Sequence, residues 1–245
     1  MRGDISGVCE TVTPAMLLSI VIPALDAAET LGAVIQAIKE GKDGAFAFEI
    51  IVVDGGSGDE TAAIGEGLGA RVIEAPRGRG SQLIAGADAA TGEWMMFLHA
   101  DTRLGPGWMS AAARFAGDPG NQETAAVFRY ALDDGGGRAR RIEWLVGWRC
   151  RLLALPYGDQ GLLIGRAFYE ALGGFKPIEL MEDVDIVRRI GRQRLRVLDV
   201  PAITSAVRYE AGGYVLRPLL NLFCLSLYLS GVPVRLIAHV YRWGA

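Results

Sequence analysis

Residues 49–59 read EIIVVDGGSGD, an apolar, β-branched run that ends at Asp54 and turns at once into a glycine-rich segment. A continuous apolar run of this length is typical of a strand buried on both faces of a sheet. Runs of the same kind occur at residues 17–22 (LLSIVI), 71–74 (RVIE) and 94–98 (WMMFL). The N-terminal part of the chain therefore contains four predicted strands of one buried sheet.

Helical patterns separate these strands. Strands that alternate with helices of this length indicate βαβ units, and hence an α/β fold with a mostly parallel, Rossmann-like sheet flanked by helices. The first helix is predicted from the i, i+3, i+4, i+7 spacing of Leu31, Val34, Ile35 and Ile38, and the next two at 59–68 and 81–90. Beyond residue 101 we predict helices at 106–115 and 138–155, strands at 125–132 and 161–164, a helix ending at Gly173-Gly174, and one marked by Val184, Val187 and Ile190.

Composition limits the class of protein. Of the 245 residues, 51% are apolar and 22% are charged, which is enough apolar surface for a packed core and argues against general disorder. The three cysteines, Cys9, Cys150 and Cys224, are far apart and odd in number. This pattern argues against a disulfide framework or a cysteine zinc site and indicates a reducing, cytoplasmic compartment. The first 13 residues lack the long apolar run of a signal peptide.

We predict three regions along the chain: a disordered tail at 1–15, a catalytic domain at 16–210, and an apolar, basic helical extension at 211–245. Residues 218–234 of the extension are largely apolar and are bracketed by Arg217 and Arg235, with Pro233 near the end. Seventeen residues is the lower bound for a membrane span, so a helix on a membrane surface or against a partner chain, as in a homodimer, is favoured over a transmembrane helix. A buried core helix is the equally weighted alternative.

Charge is distributed unevenly. Residues 1–137 carry nine basic and nineteen acidic side chains, whereas residues 186–245 carry nine arginines and only Asp199 and Glu210 as acids. A basic C-terminal part indicates contact with something anionic, such as phosphates or a membrane surface, or else a solvated arginine-rich surface. The basic stretch contains no recognised nucleic-acid-binding motif, so nucleic acid is not an expected partner.

Candidate site residues lie just after the strands. In an open α/β sheet, ligands bind beyond the carboxyl ends of the strands, and each predicted strand here leads into polar or glycine-rich sequence. These segments contain Pro23 and Asp26, Asp54 and Gly56, Arg77 and Arg79, and His99 and Asp101. One cleft lined by all four strand ends is therefore expected.

Two of these segments carry acidic side chains with alternative roles. Asp54 can accept hydrogen bonds from a base or ribose while the glycines admit the ligand, or it can shape the turn, with Asp59 capping the next helix. Asp101 can hold Mg²⁺ or Mn²⁺ against the two phosphates of a nucleotide diphosphate, and His99 points to the same side of an extended chain. The alternative for this second pair is a turn aspartate beside a buried histidine.

Other candidates lie on loops and at a helix start. Arg77 and Arg79, on a glycine-rich loop, suit phosphate binding or solvent exposure equally. Glu182 and Asp183 begin a predicted helix, either as an N-terminal cap or as a general base that takes the proton of an acceptor hydroxyl. The polar loop Gly158-Asp159-Gln160 indicates either a turn or contacts to the acceptor or the donor sugar.

Taken in order, these segments resemble a known family. IVIPALDAAETL, IIVVDGGSGDET, PRGRGSQL, FLHADT, YGDQGLLI and LMEDVDIVRRI together are similar to the motifs of family 2 glycosyltransferases of the GT-A fold. The resemblance covers about residues 17–210. It is closest to a subgroup of small bacterial enzymes in which FLHADT stands where most members have Asp-x-Asp.

The resemblance implies a role for each matching residue. Asp54 would contact the nucleobase, which is expected to be uracil, and Asp26 or Glu29 would help form the nucleotide pocket. Asp101 would hold a Mn²⁺ or Mg²⁺ ion. Asp183 would be the general base of an inverting, single-displacement transfer from a nucleotide-sugar donor. The sequence departs from the family pattern at His99, which replaces the first aspartate of Asp-x-Asp.

The segment after the first strand distinguishes rival functions. A nucleotidyltransferase would show a glycine-rich, basic signature there, and a dinucleotide oxidoreductase would show G-x-G-x-x-G, whereas this chain has IPALDAAETL. A catalytically inactive, glycosyltransferase-like nucleotide-binding or scaffold protein remains the alternative. The apolar, basic C-terminal part predicts a lipid-linked acceptor and peripheral attachment at the inner face of a membrane.

Overall fold

The structure is a computed structural model that describes residues 16–44, 46–153, 155–156, 158–207, 209 and 213–243. The predicted tail at 1–15 lies outside these residues, as does residue 157. The N-terminal half alternates as the sequence predicts. Its elements are β1 (Leu17–Ala24), α1 (Ala28–Glu40), β2 (Ala47–Asp54), α2 (Thr61–Gly67), β3 (Arg71–Glu74), α3 (Arg79–Ala89) and β4 (Trp94–Phe97).

The second half is less regular. It contains β5 (Thr102–Leu104), α4 (Trp108–Ala116), β6 (Ala125–Leu132), α5 (Gly137–Leu153), β7 (Leu162–Gly165), α6 (Arg166–Ala171), α7 (Glu182–Ile190), β8 (Leu195–Thr204), α8 (Leu216–Leu229) and α9 (Val234–Trp243). Short 3₁₀ turns occupy Pro119–Asn121, Gly158–Gln160 and Arg192–Arg194.

The strands form one eight-stranded sheet in the order β3-β2-β1-β4-β7-β6-β8-β5. The pairs β3–β2, β2–β1, β1–β4 and β6–β8 are parallel, whereas β7 runs antiparallel to both β4 and β6, and β5 is antiparallel to β8. The sheet is therefore mixed and mostly parallel. Because β1, β2 and β4 run the same way, their carboxyl ends meet at one edge, which is where ligands bind in such folds.

Helices cover both faces of the sheet. On β1, Ile20 and Ile22 pack into a cluster with α1 and α4, while Val21 between them packs into a second cluster with α3 and α7. Side chains alternate across a strand, so a strand that is apolar at every position requires a hydrophobic layer on each side. This explains why β1, β2 and β4 could be predicted from sequence. The prediction that residues 71–74 are buried on both faces is wrong, because β3 is an edge strand in which Arg71 and Glu74 are exposed.

Two strands were missed. β8 carries Arg196, Asp199 and Pro201, and its pairing with β6 has an irregularity next to Phe128 and Arg129, so neither a continuous apolar run nor a clean alternation marks it. β5 has only three residues. The predicted C-terminal segment at 218–234 ends as a helix at Leu229, before the break expected at Pro233, and α9, which was not predicted, begins at Val234.

The C-terminal helices pack partly into the core. Cys224 and Leu225 of α8 and Ile237 of α9 are buried in the cluster that also contains α3 and α7. The buried-core interpretation is therefore correct for one face of α8. Within the part of the chain that the structure describes, no helix has both the length and the apolar character needed to cross a bilayer.

Candidate active site

A cleft of about 760 Å³ lies at the carboxyl ends of β1 and β4 and beside the turn before α3. Its wall also contains Gln82 of α3 and Arg217 and Tyr241 of the C-terminal helices. The predicted site residues that line it are Pro23, Asp26, Glu29, Arg77, Arg79, His99 and Asp101. The structure thus brings the ends of three separate sequence segments to one cavity.

A smaller pocket of about 110 Å³ adjoins the cleft. The two cavities share Arg79, His99 and Asp101, and the smaller one adds Asp159 and Asp183. A ligand in the cleft would therefore contact Arg79, His99 and Asp101. The adjoining pocket adds the carboxylates of Asp159 and Asp183. This is the spatial relation that a donor site and an acceptor site require.

Asp183 is held in a fixed orientation at the start of α7. Its Oδ2 accepts a hydrogen bond from the Gly158 N–H at 2.8 Å, and its Oδ1 accepts one from the Val184 N–H at 2.7 Å. The helix N-terminus favours the negative charge of this side chain. A half-buried, oriented carboxylate that lines a pocket can accept a proton from a bound hydroxyl group.

Gly158 links Asp183 to His99. A Cβ atom added to Gly158 would overlap the imidazole Nε2 of His99, so the ring packs directly on the glycine Cα. The N–H of the same residue binds Asp183. The loop that carries Gly158 therefore sets the positions of two predicted site residues at once.

We expect Gly158→Ala to lower kcat by about tenfold or more, because the added methyl group must displace His99 or the loop that orients Asp183, and shifts of this kind cost up to about 10²-fold. The backbone at Gly158 is not in the left-handed region, so the fold should persist. Gly67→Ala is the matched control, since its Cβ would meet nothing within 4 Å. Equal kcat values in the two variants and in the unmodified chain would contradict the linkage.

Asp159 lies in the smaller pocket with a buried oxygen. Its Oδ1 has no hydrogen-bond partner among the described residues. Burial, helped by the negative charges of Asp183 and Asp101, raises the pKa of this carboxyl to about 6 against the lowering effect of Arg149. An orphaned carboxylate oxygen facing a polar pocket is a group that a ligand or cation can satisfy.

Glu182 stands behind Arg79 and not on the cleft surface. Its side chain is 1% exposed, its Oε1 lies 3.4 Å from Arg79 Nη1, and its Oε2 is buried without a partner among the described residues. Burial raises the pKa of Glu182 to about 7, against the opposing effect of Arg79. The side chain positions Arg79 and contributes to the wall of a small apolar cavity of about 30 Å³.

We expect the free energy of unfolding of Glu182→Gln, minus that of the unmodified chain, to be more positive at pH 8 than at pH 5. A carboxyl with a raised pKa keeps its proton in the folded chain but releases it in the unfolded chain between about pH 4.5 and 7, so stability falls as pH rises through that window. Glutamine has no such proton. Urea unfolding of both proteins at the two pH values measures the difference, and a gap that does not change with pH would contradict it.

Asp54 and Gly56 line none of the three cavities described. Asp54 is 6% exposed, and its carboxylate accepts hydrogen bonds from the N–H groups of Gly56 and Ser57 and from the Ser57 hydroxyl. Gly56 has φ 83°, which only glycine adopts readily. The turn-shaping role is therefore what this carboxylate performs in the structure, and its contact with a nucleobase stays a prediction.

The turn held by Asp54 is bound to the loop after β1. Asp26 Oδ1 accepts a hydrogen bond from the Gly58 N–H at 2.8 Å, and the Asp26 N–H donates to Ser57 Oγ at 2.9 Å. Asp59 accepts from the N–H groups of Thr61 and Ala28, which lie at the first turns of α2 and α1. Asp59 therefore has the capping role expected of it, and Asp54 acts on the cleft through the position of Asp26.

The side chains of the predicted loop Gly158-Asp159-Gln160 point in different directions. Gln160 is 2% exposed; its Nε2 donates to the Phe128 carbonyl at 2.9 Å, and its Oε1 accepts from Cys150 Sγ at 3.1 Å. Its amide is used inside the fold, so the structure gives no support to a contact between Gln160 and a sugar or acceptor. Asp159 is the member of this loop that faces the pocket.

Sequence reasoning missed the cleft residues supplied by helices. Gln82 is 4% exposed, and its Nε2 donates to the carbonyls of Ala24 at 2.7 Å and Val53 at 2.8 Å, which ties the ends of β1 and β2 together. Arg217 is 8% exposed and donates from Nη2 to the Tyr241 hydroxyl at 2.7 Å. The only sequence signal for the C-terminal pair, Arg217 and Tyr241, was that Arg217 is a single arginine at the edge of an apolar helix.

Metal-binding capacity is limited to small sets of side chains. Across the residues described, no three or more histidine, cysteine, aspartate or glutamate side chains are grouped closely enough to hold an ion by themselves. Asp101 and His99 nevertheless line the same two cavities, and Asp159 lines the smaller one with them.

Known proteins are similar to this chain in sequence and fold. A PGL/p-HBAD biosynthesis glycosyltransferase of Mycobacterium bovis is 39% identical over 97 residues, which are 37% of each chain. A glucosyl-3-phosphoglycerate synthase of Mycolicibacterium paratuberculosis is 34% identical over 93 residues, 34% of this chain and 28% of the relative. The matched part thus spans about a third of the length of these curated relatives.

Solved structures extend the similarity in fold. The glucosyl-3-phosphoglycerate synthase of Mycobacterium tuberculosis, crystallised with Mn²⁺, UDP and glucosyl-3-phosphoglycerate, has a TM-score of 0.55 and 21% identity over 89% of this chain and 81% of that one. S. aureus TarS 1–349 in complex with UDP-GlcNAc has a TM-score of 0.59 and 17% identity over 77% of this chain and 59% of that one. These identities show a shared GT-A fold. The sequence model of "Glycosyl transferase family 2" matches residues 19–176, well over half of the chain, so this protein is a member of glycosyl transferase family 2.

Proposed function

We propose that this glycosyltransferase moves a sugar from a UDP-linked donor to a hydroxyl acceptor, with inversion, a divalent metal at Asp101 and Asp183 as general base. The observation that carries the proposal is the shared wall of the two cavities, formed by Arg79, His99 and Asp101, with Asp183 on the acceptor side. The large cleft takes the nucleotide diphosphate and the smaller pocket takes the reacting hydroxyl.

The donor end of the proposal rests on charge and on relatives. Arg77 and Arg79 line the cleft and can bind the diphosphate, while Asp26 and Glu29, which also line it, can accept hydrogen bonds from the base or ribose. The solved relatives were crystallised with UDP, UDP-glucose or UDP-GlcNAc. A uridine nucleotide is therefore the first donor class to test.

The residues present fit a divalent cation. Mg²⁺ is usually bound through one or two carboxylates together with the phosphates of its substrate, so Asp101, with His99 and the orphaned Asp159 Oδ1 lining the same pocket, is a sufficient donor set. Imidazole and carboxylate also suit Mn²⁺. When bound, the ion supplies positive charge that neutralises the leaving diphosphate.

The transfer itself is assigned to the chain's own groups. Asp183 takes the proton of the acceptor hydroxyl as its oxygen bonds to the anomeric carbon. The bond from that carbon to the β-phosphate oxygen breaks, and its electron pair leaves with UDP. Attack opposite the leaving group in a single displacement inverts the anomeric centre.

The acceptor is proposed to be a lipid-linked molecule met at the inner face of a membrane. Support comes from the exposed leucines of α8, the helix that brings Arg217 and Asn221 to the smaller pocket. A homodimer that covers the same leucines is the alternative arrangement. We also propose that the catalytic domain ends near residue 210 and that the extension follows it. Both parts contribute residues to the cleft wall.

The test is incubation of the purified chain with UDP-glucose, UDP-galactose and UDP-GlcNAc, with Mn²⁺ or EDTA, and measurement of UDP release, with water and a membrane lipid extract as the sources of the accepting hydroxyl. Metal-dependent release from one donor, absent in Asp183→Asn, supports the enzyme. Tight UDP binding with no turnover of any donor would favour the inactive scaffold instead.

A further inference from the structure

The outward face of α5 is basic and aromatic. Six side chains on one side of this helix are exposed, and none of them is acidic; they are Arg138, Arg140, Arg141, Trp144, Leu145 and Trp148. Glu143 lies outside this face, because its Oε1 accepts a hydrogen bond from the Leu132 N–H at 2.8 Å. The acids in the turn before the helix are also occupied, since Asp133 pairs with Arg103 and Asp134 with Tyr214.

This face is unusual for a surface in water. Trp144 is 62% exposed, Leu145 54% and Trp148 46%, and the two indole rings lie 5.6 Å apart. Single exposed apolar residues are ordinary, but a contiguous apolar patch marks a surface that meets a partner or a membrane. A helix with arginine beside tryptophan and leucine has the composition of helices that lie in a membrane interface.

A second apolar strip lies on α8. Its exposed apolar residues fall on one side of the helix at 3.6 residues per turn; they are Leu216, Leu219, Leu222, Phe223 and Leu229. The starts of the two helices are joined, because the Tyr214 hydroxyl just before α8 donates to Asp134 just before α5. Tyr214 also stacks on Tyr209 with ring centroids 5.9 Å apart.

Both helices are connected to the wall of the smaller pocket. Arg217 and Asn221 of α8 and Tyr209 before it line that pocket. At the other helix, Cys150 near the end of α5 donates to Gln160, the neighbour of Asp159 in the pocket wall. Each helix is therefore tied to the wall of the pocket where the acceptor hydroxyl is proposed to bind, α8 directly and α5 through Gln160.

We infer that the exposed faces of α5 and α8 form one docking surface for an anionic lipid bilayer, with the acceptor pocket presented to it. This deepens the proposed function, because it rests on a membrane-borne acceptor and names the surface that meets the membrane. The arginines of α5 bind lipid phosphates, and its tryptophans and the α8 leucines enter the interface. A second copy is a poorer occupant, since a twofold contact sets each patch against itself and would oppose arginine with arginine.

The experiment is flotation of the full chain with phosphatidylcholine vesicles, with and without phosphatidylglycerol, at low and high salt. We expect binding that needs phosphatidylglycerol and weakens with salt. Each arginine near an anionic surface contributes about fivefold in partitioning, so Arg138→Glu with Arg141→Glu should lower it about twentyfold or more. Trp144→Ser with Trp148→Ser should lower it about tenfold.

Arg114→Glu is the matched control, because this exposed arginine lies on α4, which belongs to neither exposed strip, and should leave flotation unchanged. UDP affinity, measured on the same proteins, should be unaltered in all variants; loss of lipid binding alone thus separates this inference from the donor-site proposal. Absence of vesicle binding by the unmodified chain, or equal binding by the α5 variants, would overturn the inference. A dimer that the tryptophan variant converts to a monomer, without lipid binding, would identify the surface as a contact between copies and overturn it as well.

Discussion

Asp183→Asn is expected to reduce kcat by about 10²–10⁴-fold, the range that a positioned general base contributes. Asparagine retains an oxygen that can accept the hydrogen bond from Gly158 N–H, so the loop and helix should keep their places. It cannot take a proton. UDP affinity should stay within a few-fold of the unmodified value because the residue lies in the smaller pocket and does not line the nucleotide cleft.

Asp185→Asn is the matched control on the same helix. Asp185 pairs with Lys176 at 2.7 Å and Arg189 at 2.6 Å and lines neither of the two site cavities. Its replacement should lower the melting temperature and change kcat by no more than a few-fold. Initial rates of UDP release at saturating donor compare the two variants. Equal losses of kcat in both would show that the effect at Asp183 is structural, and an unchanged kcat in Asp183→Asn would remove it as the base.

Asp101→Asn is expected to lower kcat/KM by about 10²–10³-fold, because a metal ion contributes several kcal/mol to stabilising the charge of the leaving diphosphate. The loss should persist at high Mn²⁺ concentration, since a neutral amide is a weak ligand. Asp88→Asn is the control: it removes one exposed negative charge from α3 at a position that does not line the cleft, and it should leave kcat/KM unchanged.

His99→Ala, compared with Asp101→Asn in kcat/KM and Mn²⁺ requirement, tests whether His99 helps to bind the metal ion. A loss smaller than that of Asp101→Asn, with a weaker Mn²⁺ requirement, would fit a histidine that assists one carboxylate. Unaltered metal dependence in Asp101→Asn, with kcat/KM near the unmodified value, would contradict the assignment of the ion to this residue.

The sequence was most informative where burial is complete. β1, β2 and β4 are apolar at nearly every position because helices cover both faces, and the residues at their ends could be named before the fold was known. β8 could not, because Arg196, Asp199 and Pro201 interrupt its pattern while its pairing with β6 is a tertiary property. A local sequence pattern does not predict a strand that forms because of its pairing with a neighbouring strand.

Side-chain direction explains the remaining gaps in the site. The loop at 158–160 is polar throughout, yet Asp159 turns to the pocket and Gln160 turns into the core, which residue type alone does not decide. Arg217 and Tyr241 reach the cleft from helices more than 100 residues beyond Asp101 in the chain. Their place depends on how α8 and α9 pack, and this is encoded in long-range contacts.

The central claim, a metal-dependent uridine-nucleotide site at Asp101, is tested most directly by calorimetric titration of UDP into the purified chain with Mn²⁺ and with EDTA. We expect micromolar binding with Mn²⁺, binding weaker by about 10²-fold or more with EDTA, and loss of the Mn²⁺ effect in Asp101→Ala. Absence of UDP binding under both conditions, or binding that is the same with Mn²⁺ and EDTA in the unmodified protein, would contradict the account.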